Sequence, residues 1–432
     1  MTLAGGGHAA VWFEMGGTVT MHTSVRTDTS SGSGSSNWKR CTASQCLGEE
    51  VIQGACLAHA SDEELVAYRE SLQPGHGFSA KGVEMTPELW AKMRKLTTMA
   101  SYPHIVVLPL FLIGAVFPFK IVLREATFRS HVSLTGAILE QGCEFTECTF
   151  EAGLSMDYMD SRNGPSFFQN CTIAQDLSAS YAHTNQYIAF VSSEITGAVR
   201  TLGVTGDFRL DECTVTGPCD LKTSKLDHLS VASSVFEGNV DMTGVESTSI
   251  RAAGVRFSGS PAKIGPLTAT SIDFAGAQFG GRVEIAARAD RISFTGSSFP
   301  AGGRLELESG EVDLAGVTLG APLAIVGDNQ VAVTSIQNAD AGSLTLSHLD
   351  LSNCLFHGAH GLESIGLEPS VRLRTPPPMR ARRRCTADEF AWRVSSPGER
   401  AGVSGGAKTG RSPPQPIQAA AASEGSERPL PV

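Results

Sequence analysis

The sequence predicts an all-β solenoid, in which one chain winds into a stack of similar coils. Large apolar residues recur alternately six and five positions apart, a spacing that favours neither a helix nor a flat half-buried strand. The series begins with Phe128, Leu134, Leu139, Phe145, Phe150 and Met156. The 432 residues also include 46 glycines and only 7% aromatic residues, a composition that suits a turn-rich fold.

The same rhythm returns further along the chain, which indicates a repeated unit. It is seen at Phe274, Phe279, Ile285, at Leu314, Leu319, Ile325, and at Leu351, Phe356, Leu362. The spacing from Phe274 to Phe294 equals the spacing from Phe294 to Leu314. Self-similarity at about 20 residues is typical of solenoids, so we expect residues 105–370 to form about twelve coils.

A small or medium residue precedes many of these large residues by two positions. In an extended chain, residues i and i−2 point to the same face, so both should point inward at each side of a four-sided coil. We therefore interpret Cys143 and Cys148 of CEFTECTF as small core residues rather than a metal or redox pair. The set of small inward residues is Ala126, Ala137, Cys143, Cys148, Cys171, Cys213, Cys219, Ala277, Val317 and Cys354.

Other segments flank the predicted solenoid. Residues 1–36 end in the linker-like TSSGSGSS and are predicted to be disordered, as are residues 398–432, which lack an apolar period. Residues 37–104 form a Cys/His-containing helical module, in which Ser61 and Glu64 form a capping box and Thr86 precedes a second helix. Residues 371–397 read as a basic linker with a short helix.

The strongest candidate site lies in this module. Cys41, Cys46, Cys56 and His59 form a C-x4-C-x9-C-x2-H pattern. Three thiolates and one imidazole are a common ligand set for structural zinc, which is four-coordinate and closed. The alternatives are that the cysteines are packing residues at a buried helix start, or that two of them form a redox pair.

An apolar run, residues 105–119, precedes the repeats. A membrane-spanning helix needs about twenty apolar residues, and this run holds Pro109 and Pro118 and ends at Lys120. We expect strands or a buried connection of the first coil here. The alternative is a membrane-associated protein that uses residues 105–123.

The charge of the chain is uneven. Residues 101–370 carry 15 basic and 29 acidic groups, a net charge of −14, so we expect no direct nucleic-acid binding. The basic cluster Arg380, Arg382, Arg383 and Arg384 either belongs to a solvated linker with a capping helix or contacts an acidic partner, a lipid surface or the chain's own acidic solenoid. The first 36 residues show no signal peptide, because no Lys or Arg precedes Arg26 and the apolar run AAVWF is too short. We therefore expect reduced cysteines and a cytoplasmic location.

The repeats resemble those of the pentapeptide-repeat family, through the segments ATF, CEF, CTF, CTI, CDL and AQF. This resemblance implies a right-handed quadrilateral parallel β-helix. WKRC…CLGEEVIQGACLAHASDEELVAYRESLQPG and RARRRCTADEFAWRV resemble the flanks of a bacterial group within that family. That group usually continues into a membrane module, in place of which this chain has PGERAGVSGG and a polar tail.

The sequence favours a non-enzymatic role. It contains no nucleophile elbow, phosphate loop or HExxH motif, and Asp207, Asp211, Glu212 and Asp220 read as solvated outer-face residues. We expect a scaffold that binds a protein partner. The resemblance also implies an alternative, a DNA mimic acting on a topoisomerase such as gyrase. Apart from structural zinc, we expect no cofactor.

Overall fold

The structure is a computed structural model that describes residues 38–73, 76–99, 101–259 and 262–375, apart from the side chain of Asn329. It also describes two strands near the amino terminus, Val11–Met15 and Thr18–His22, which pair as an antiparallel hairpin. The rest of residues 1–36, for which we predicted disorder, lies outside the described residues. So do the predicted tail and most of the basic linker.

The main body is a parallel β-solenoid of about twelve turns, as predicted. Each strand pairs with the strand that follows it one coil later along the chain. Val132 pairs with Leu154, and Leu154 pairs in turn with Leu177. Near the other end the coil is slightly shorter, since Gly303 pairs with Leu323.

The early coils contribute four short strands each, which stack into four ladders. The first ladder contains Phe78–Ser79, Leu110–Phe111, Val132–Ser133, Leu154–Ser155, Leu177–Ser178, Val199–Arg200, Cys219–Asp220 and Val240–Asp241. The second contains Val116–Phe117, Ile138–Leu139 and Asp160–Ser161, and the third contains Ile121–Arg124, Cys143–Thr146 and Ser166–Gln169. The fourth contains Tyr102–Val106, Thr127–Phe128, Thr149–Phe150, Thr172–Ile173, Glu194–Ile195, Thr214–Val215, Val235–Phe236, Arg256–Phe257, Gln278–Phe279, Ser298–Phe299 and Thr318–Leu319.

Beyond residue 183 the corners between the first three ladders flatten, and single strands cross them. The second and third ladders merge in His183–Val191, Thr205–Asp211, Lys225–Ser230 and Glu246–Arg251. The first ladder joins them in Ala262–Asp273 and Val283–Ser293. The later strands are Gly303–Leu307, Gly310–Asp313, Leu323–Ser335, Leu344–Asp350 and Gly366–Leu367. The fourth ladder forms a separate sheet, which also includes Thr98–Met99.

The predicted inward positions form the core. Stacked rings follow the solenoid axis: the centroids of Phe168 and Phe190 are 4.5 Å apart, and those of Phe279 and Phe299 are 4.7 Å apart. Such offset stacks add to the stabilisation from burial. The inward assignment is confirmed for Phe128, Phe145, Phe150, Phe274, Phe279, Phe294 and Leu314, and for the small residues two positions before their large neighbours.

The rhythm fails in the last coil. Leu351 is buried, but Phe356 is half-buried and Leu362 is exposed, although we predicted all three as inward. Leu362 lies in the turn before Gly366–Leu367 and has no later coil above it among the described residues. The prediction was therefore wrong at Leu362, because an inward position is buried only where coils stack on both sides.

Corners between the first and second ladders need left-handed backbone. Glycine provides it at Gly136 and Gly203, with φ of +63° and +65°. In the two coils between them the same corner is occupied by Tyr158 and Tyr181, each with φ of +58°. Their rings stack at 5.2 Å, and this contact offsets part of the backbone strain.

The amino-terminal module covers the first coil. Helix α1, Asp62–Ser71, has the predicted capping box between Ser61 and Glu64, and helix α2, Pro87–Thr97, has Thr86 at its N-cap. Trp90 of α2 packs edge-to-face on Phe117 at 5.7 Å. The strand Phe78–Ser79 pairs with the first coil, so the solenoid begins within the module predicted for residues 37–104.

The apolar run is part of the solenoid. Residues 105–123 contribute to Tyr102–Val106, Leu110–Phe111, Val116–Phe117 and Ile121–Arg124, as predicted for a first coil. The apolar side chains Leu110, Leu112, Phe117, Ile121 and Leu123 are buried there. Over the described residues, neither helix has the length and apolar character that a membrane span requires.

Candidate metal centre

The candidate ligands lie in an irregular segment, residues 38–60, before α1. The chain reverses between Cys41 and Cys46. The Cys41 N–H donates to the Gly48 carbonyl at 2.8 Å, and Arg40 and Glu49 form an antiparallel bridge. Gly48 is required at this reversal, because a Cβ there would lie 2.8 Å from the Cβ of Cys56. The reversal therefore brings the first two cysteines next to the third.

Cys56 and His59 are brought together by a single helical turn. The backbone N–H groups of His59 and Ala60 both donate to the Cys56 carbonyl at 3.0 Å. Residues three apart on such a turn lie on one side, so the thiol and the imidazole face the same point. The turn leads into the capping box of α1 at Ser61, which fixes where it ends.

The four predicted ligands converge. The Sγ of Cys41 lies 3.4 Å and the Sγ of Cys56 3.3 Å from the same nitrogen, Nδ1 of His59. The sulfurs of Cys46 and Cys56 are 3.6 Å apart. All four ligand atoms lie within 4.8 Å of one another. Convergence, the geometric condition for the site, is therefore met.

These separations fit a tetrahedral ion. Zinc binds sulfur at about 2.3 Å and imidazole nitrogen at about 2.0–2.1 Å, which places tetrahedral ligand atoms roughly 3.4–3.8 Å apart. The three short separations lie in or close to this range. The Gly48 N–H donates to the sulfur of Cys46 at 3.4 Å, and such backbone donors orient a thiolate ligand.

The two buried thiols differ in acidity. Burial raises the pKa of Cys56 to about 12. Burial acts in the same direction on Cys41, but backbone hydrogen bonds from Ala43 and Cys56, with the neighbouring thiol and imidazole, bring the pKa of Cys41 down to about 7. A bound divalent cation would favour the thiolate form of all three cysteines, and protons would be released on binding.

The reversal also joins the candidate centre to the first coil. Glu49 accepts hydrogen bonds from the hydroxyl of Ser79 and from Lys81 Nζ, the latter at 3.2 Å. Its backbone N–H donates to the Lys81 carbonyl at 2.8 Å. Lys39 Nζ donates to Glu50 at 2.6 Å and holds the pKa of that carboxyl below its ordinary value. A metal that orders this segment would therefore also order its contacts with the solenoid.

A cavity of about 670 Å³ lies at this junction, between the module and the first coil. Glu49, Glu50, Tyr68, His76 and Lys81 are among its lining residues. Glu49 pairs with Lys81 across this junction, whereas Glu50 pairs with Lys39 within the module. We assign the cavity to that junction rather than to a separate ligand site.

The described cysteines outside the module are core residues, as predicted. Cys143, Cys148, Cys171, Cys213, Cys219 and Cys354 are all buried. Burial raises the pKa of Cys143 and of Cys213 to about 12, which makes their thiols poor nucleophiles. Cys385 lies outside the described residues.

The acidic neighbours lie on outer faces and are bound to local partners. Asp207 pairs with Arg209 at 3.0 Å, and Asp220 with Lys222 at 3.2 Å. Asp211 accepts from the N–H of Ala232 at 3.2 Å, and Glu212 from the hydroxyl of Ser192 at 2.9 Å. Their roles in the structure are accounted for by these contacts.

Comparisons with protein-family models, with curated proteins and with solved structures gave no significant match to this chain. The candidate centre therefore rests on its own geometry. Sequence patterns identified the four candidate ligands but missed Gly48 and Glu49, which shape the reversal and join it to the coil. The only signal for them was the GEE that follows Cys46 and Leu47.

Proposed function

We propose that this protein is a non-enzymatic scaffold that binds another protein through an outer face of the solenoid. The supporting observation is the column of outward residues on the fourth ladder, each at least partly exposed. With strands about 4.8 Å apart, these ten positions span roughly 43 Å. The column consists of Thr127, Thr149, Thr172, Glu194, Thr214, Val235, Arg256, Gln278, Ser298 and Thr318.

The shape and chemistry of this column favour a protein as the partner. Small-molecule sites are concave, whereas a ladder of two-residue strands gives an open, nearly flat surface. Six of its ten side chains are Ser or Thr, which lose little rotamer freedom when a partner covers them. The solenoid holds all ten in register, so little ordering is needed on binding.

We place the scaffold in the pentapeptide-repeat class. One support is the length of the coil, which is about 20 residues, as in other solenoid repeats. The others are the four strands of each early coil and the pairing of a small and a large inward residue on successive sides. Right-handed winding is part of this proposal.

The second candidate is a DNA mimic acting on a topoisomerase such as gyrase. The net charge of −14 over residues 101–370 favours it. However, acidic groups alternate with cations along the ladders: Arg200 pairs with Asp176 at 2.6 Å, and Lys222 bridges Asp220 and Asp241 at 3.2 and 3.1 Å. Imitation of phosphates calls for an uninterrupted negative strip, so we rank the protein scaffold first.

Affinity capture with the full chain tests the proposal. Thr149→Arg with Thr214→Arg places two long cations on the fourth ladder and should abolish recovery of the partner. Thr268→Arg with Ser293→Arg adds the same charge on the other sheet and should leave recovery unchanged. Equal recovery with both pairs contradicts the assigned face. The DNA mimic is favoured instead if gyrase is recovered, if neither pair of substitutions increases its recovery, and if replacement of the outer carboxylates abolishes it.

We also propose that Cys41, Cys46, Cys56 and His59 bind structural zinc. Four protein ligands leave no position for water, so no catalytic role follows. The ion would hold together a segment of irregular backbone that has little core of its own, and its binding energy would act as folding energy. Elemental analysis should find one zinc per chain, lost in Cys56→Ser and kept in Cys143→Ser. Equal metal content in the two variants would refute the assignment.

A further inference from the structure

The carboxyl-terminal end of the solenoid has an open core. Leu305, Ile325, Leu346 and Leu367 occupy the same inward position in successive coils. The first three are fully buried, whereas Leu367 is 43% exposed. The exposure of this position therefore rises only at the last coil, on which no further described coil stacks.

Other apolar residues share this end. Leu362 is 37% exposed, and Ile365 and Leu373 are only half-buried. The opposite end differs, because α2 covers the first coil with buried Leu89, Trp90 and Met93. Solenoids need a cover over each terminal coil, since open apolar edges associate with other chains.

We propose that residues 376–390 of this same chain cover the open end, with Phe390 packed against Leu362 and Leu367. The chain leaves the solenoid at this end: Val371 is buried, and Arg372 pairs with Asp350 of the preceding coil. Pro376 follows shortly afterwards. A segment of this length reaches up to about 50 Å when extended, which is enough to cross the end of a coil.

The sequence of the segment matches the chemistry of this end. Phe390 supplies a large apolar side chain, and Thr386 with Glu389 gives a capping-box signal for a short helix that begins after Thr386 and includes Phe390. The segment also carries Arg380, Arg382, Arg383 and Arg384. Glu363 and Glu368 are exposed on the last coil and provide opposite charge.

Photo-cross-linking in the full chain tests this contact. A benzoylphenylalanine at position 390 should form an adduct with the peptide that spans residues 355–374, within the same chain. The same probe at Ala420 is the matched control and should give no adduct with that peptide. The contact does not depend on the protein-binding proposal, because no external partner is added.

A mixture of ¹⁴N- and ¹⁵N-labelled chains separates the possible occupants. Adducts of one isotopic label support the intramolecular cover. Mixed-label adducts mean that a second copy occupies the end and overturn the proposal. Adducts elsewhere on the chain, or none at position 390, overturn it as well. The probe lies outside the coils, so the experiment does not depend on a variant that disrupts the core.

Discussion

Replacement of Phe279 by Asp tests the inward side of the coil. Phe279 is buried on the fourth ladder, and its ring stacks between Phe257 at 5.4 Å and Phe299 at 4.7 Å. Phe274 meets it edge-on at 5.8 Å. The side chain therefore takes part in three ring contacts and is almost fully buried.

The expected loss of stability is large. Removing a buried Phe side chain costs about 3–5 kcal/mol through lost burial and the cavity that remains. Leaving a polar group there without partners adds about 1–3 kcal/mol. We expect Phe279→Asp to lower the free energy of unfolding by about 5 kcal/mol, a large share of the roughly 5–15 kcal/mol that stabilises a typical domain.

The adjacent residue provides the control. Gln278 is exposed on the outer face of the same strand, so Gln278→Asp should change the free energy of unfolding by no more than about 0.5 kcal/mol. Urea unfolding followed by circular dichroism measures both. Hydrogen exchange should place the loss in the coils on either side of Phe279, because each coil contacts only its neighbours. Equal stability of the two variants would refute the inward assignment.

Three further outcomes are expected. Chelation of the proposed zinc, or Cys46→Ser, should increase hydrogen exchange in residues 38–73 and leave exchange in the coils beyond residue 127 unchanged. Increased exchange in the later coils would contradict a local role of the zinc. Cys143, whose pKa burial raises to about 12, should resist iodoacetamide at pH 8 until the protein is unfolded, as mass spectrometry would report. The pKa of Glu144 is lowered chiefly by its hydrogen bond with Lys120. This pair therefore stabilises the fold above the ordinary carboxyl pKa, and the stabilisation is lost as the pH falls through the lowered pKa. Lys120→Met should therefore cost up to about 1 kcal/mol at neutral pH and nothing in acid, and a cost that does not depend on pH would contradict this assignment.

Much of the fold is visible in the sequence because coil geometry imposes a regular spacing on inward residues. Phe145 and Phe150 lie on successive sides of one coil, and Cys143 and Cys148 occupy the narrower inward positions before them. This pattern is local, so it needs no knowledge of distant contacts. It fails at Leu362, where stacking on one side ends.

Features that depend on neighbouring coils were not predicted. Tyr158 and Tyr181 occupy a corner that Gly136 and Gly203 fill in the neighbouring coils, and each adopts left-handed backbone while its ring stacks on the other in the adjacent coil. The merging of ladders from His183 onward also lacks a local signal. Such features arise between coils, where a single-sequence pattern carries little information.

The candidate centre likewise combines features that the sequence predicts with features that depend on distant contacts. Residue type and spacing identified Cys41, Cys46, Cys56 and His59. Their convergence depends on the close contact of Gly48 with Cys56, and the attachment of the segment depends on the contact of Glu49 with Ser79, which lies far along the chain beyond α1. Neither contact follows from the ligand spacing.

X-ray absorption at the zinc edge tests the assignment of the metal centre most directly. We predict one zinc per chain with three sulfur ligands at about 2.3 Å and one nitrogen at about 2.0–2.1 Å. In His59→Ala the outer-shell scattering of the imidazole ring should disappear, whereas in His131→Ala, which alters a histidine of the solenoid, it should remain. A protein that contains no zinc, or a spectrum dominated by oxygen ligands, would contradict the proposed Cys41, Cys46, Cys56 and His59 centre.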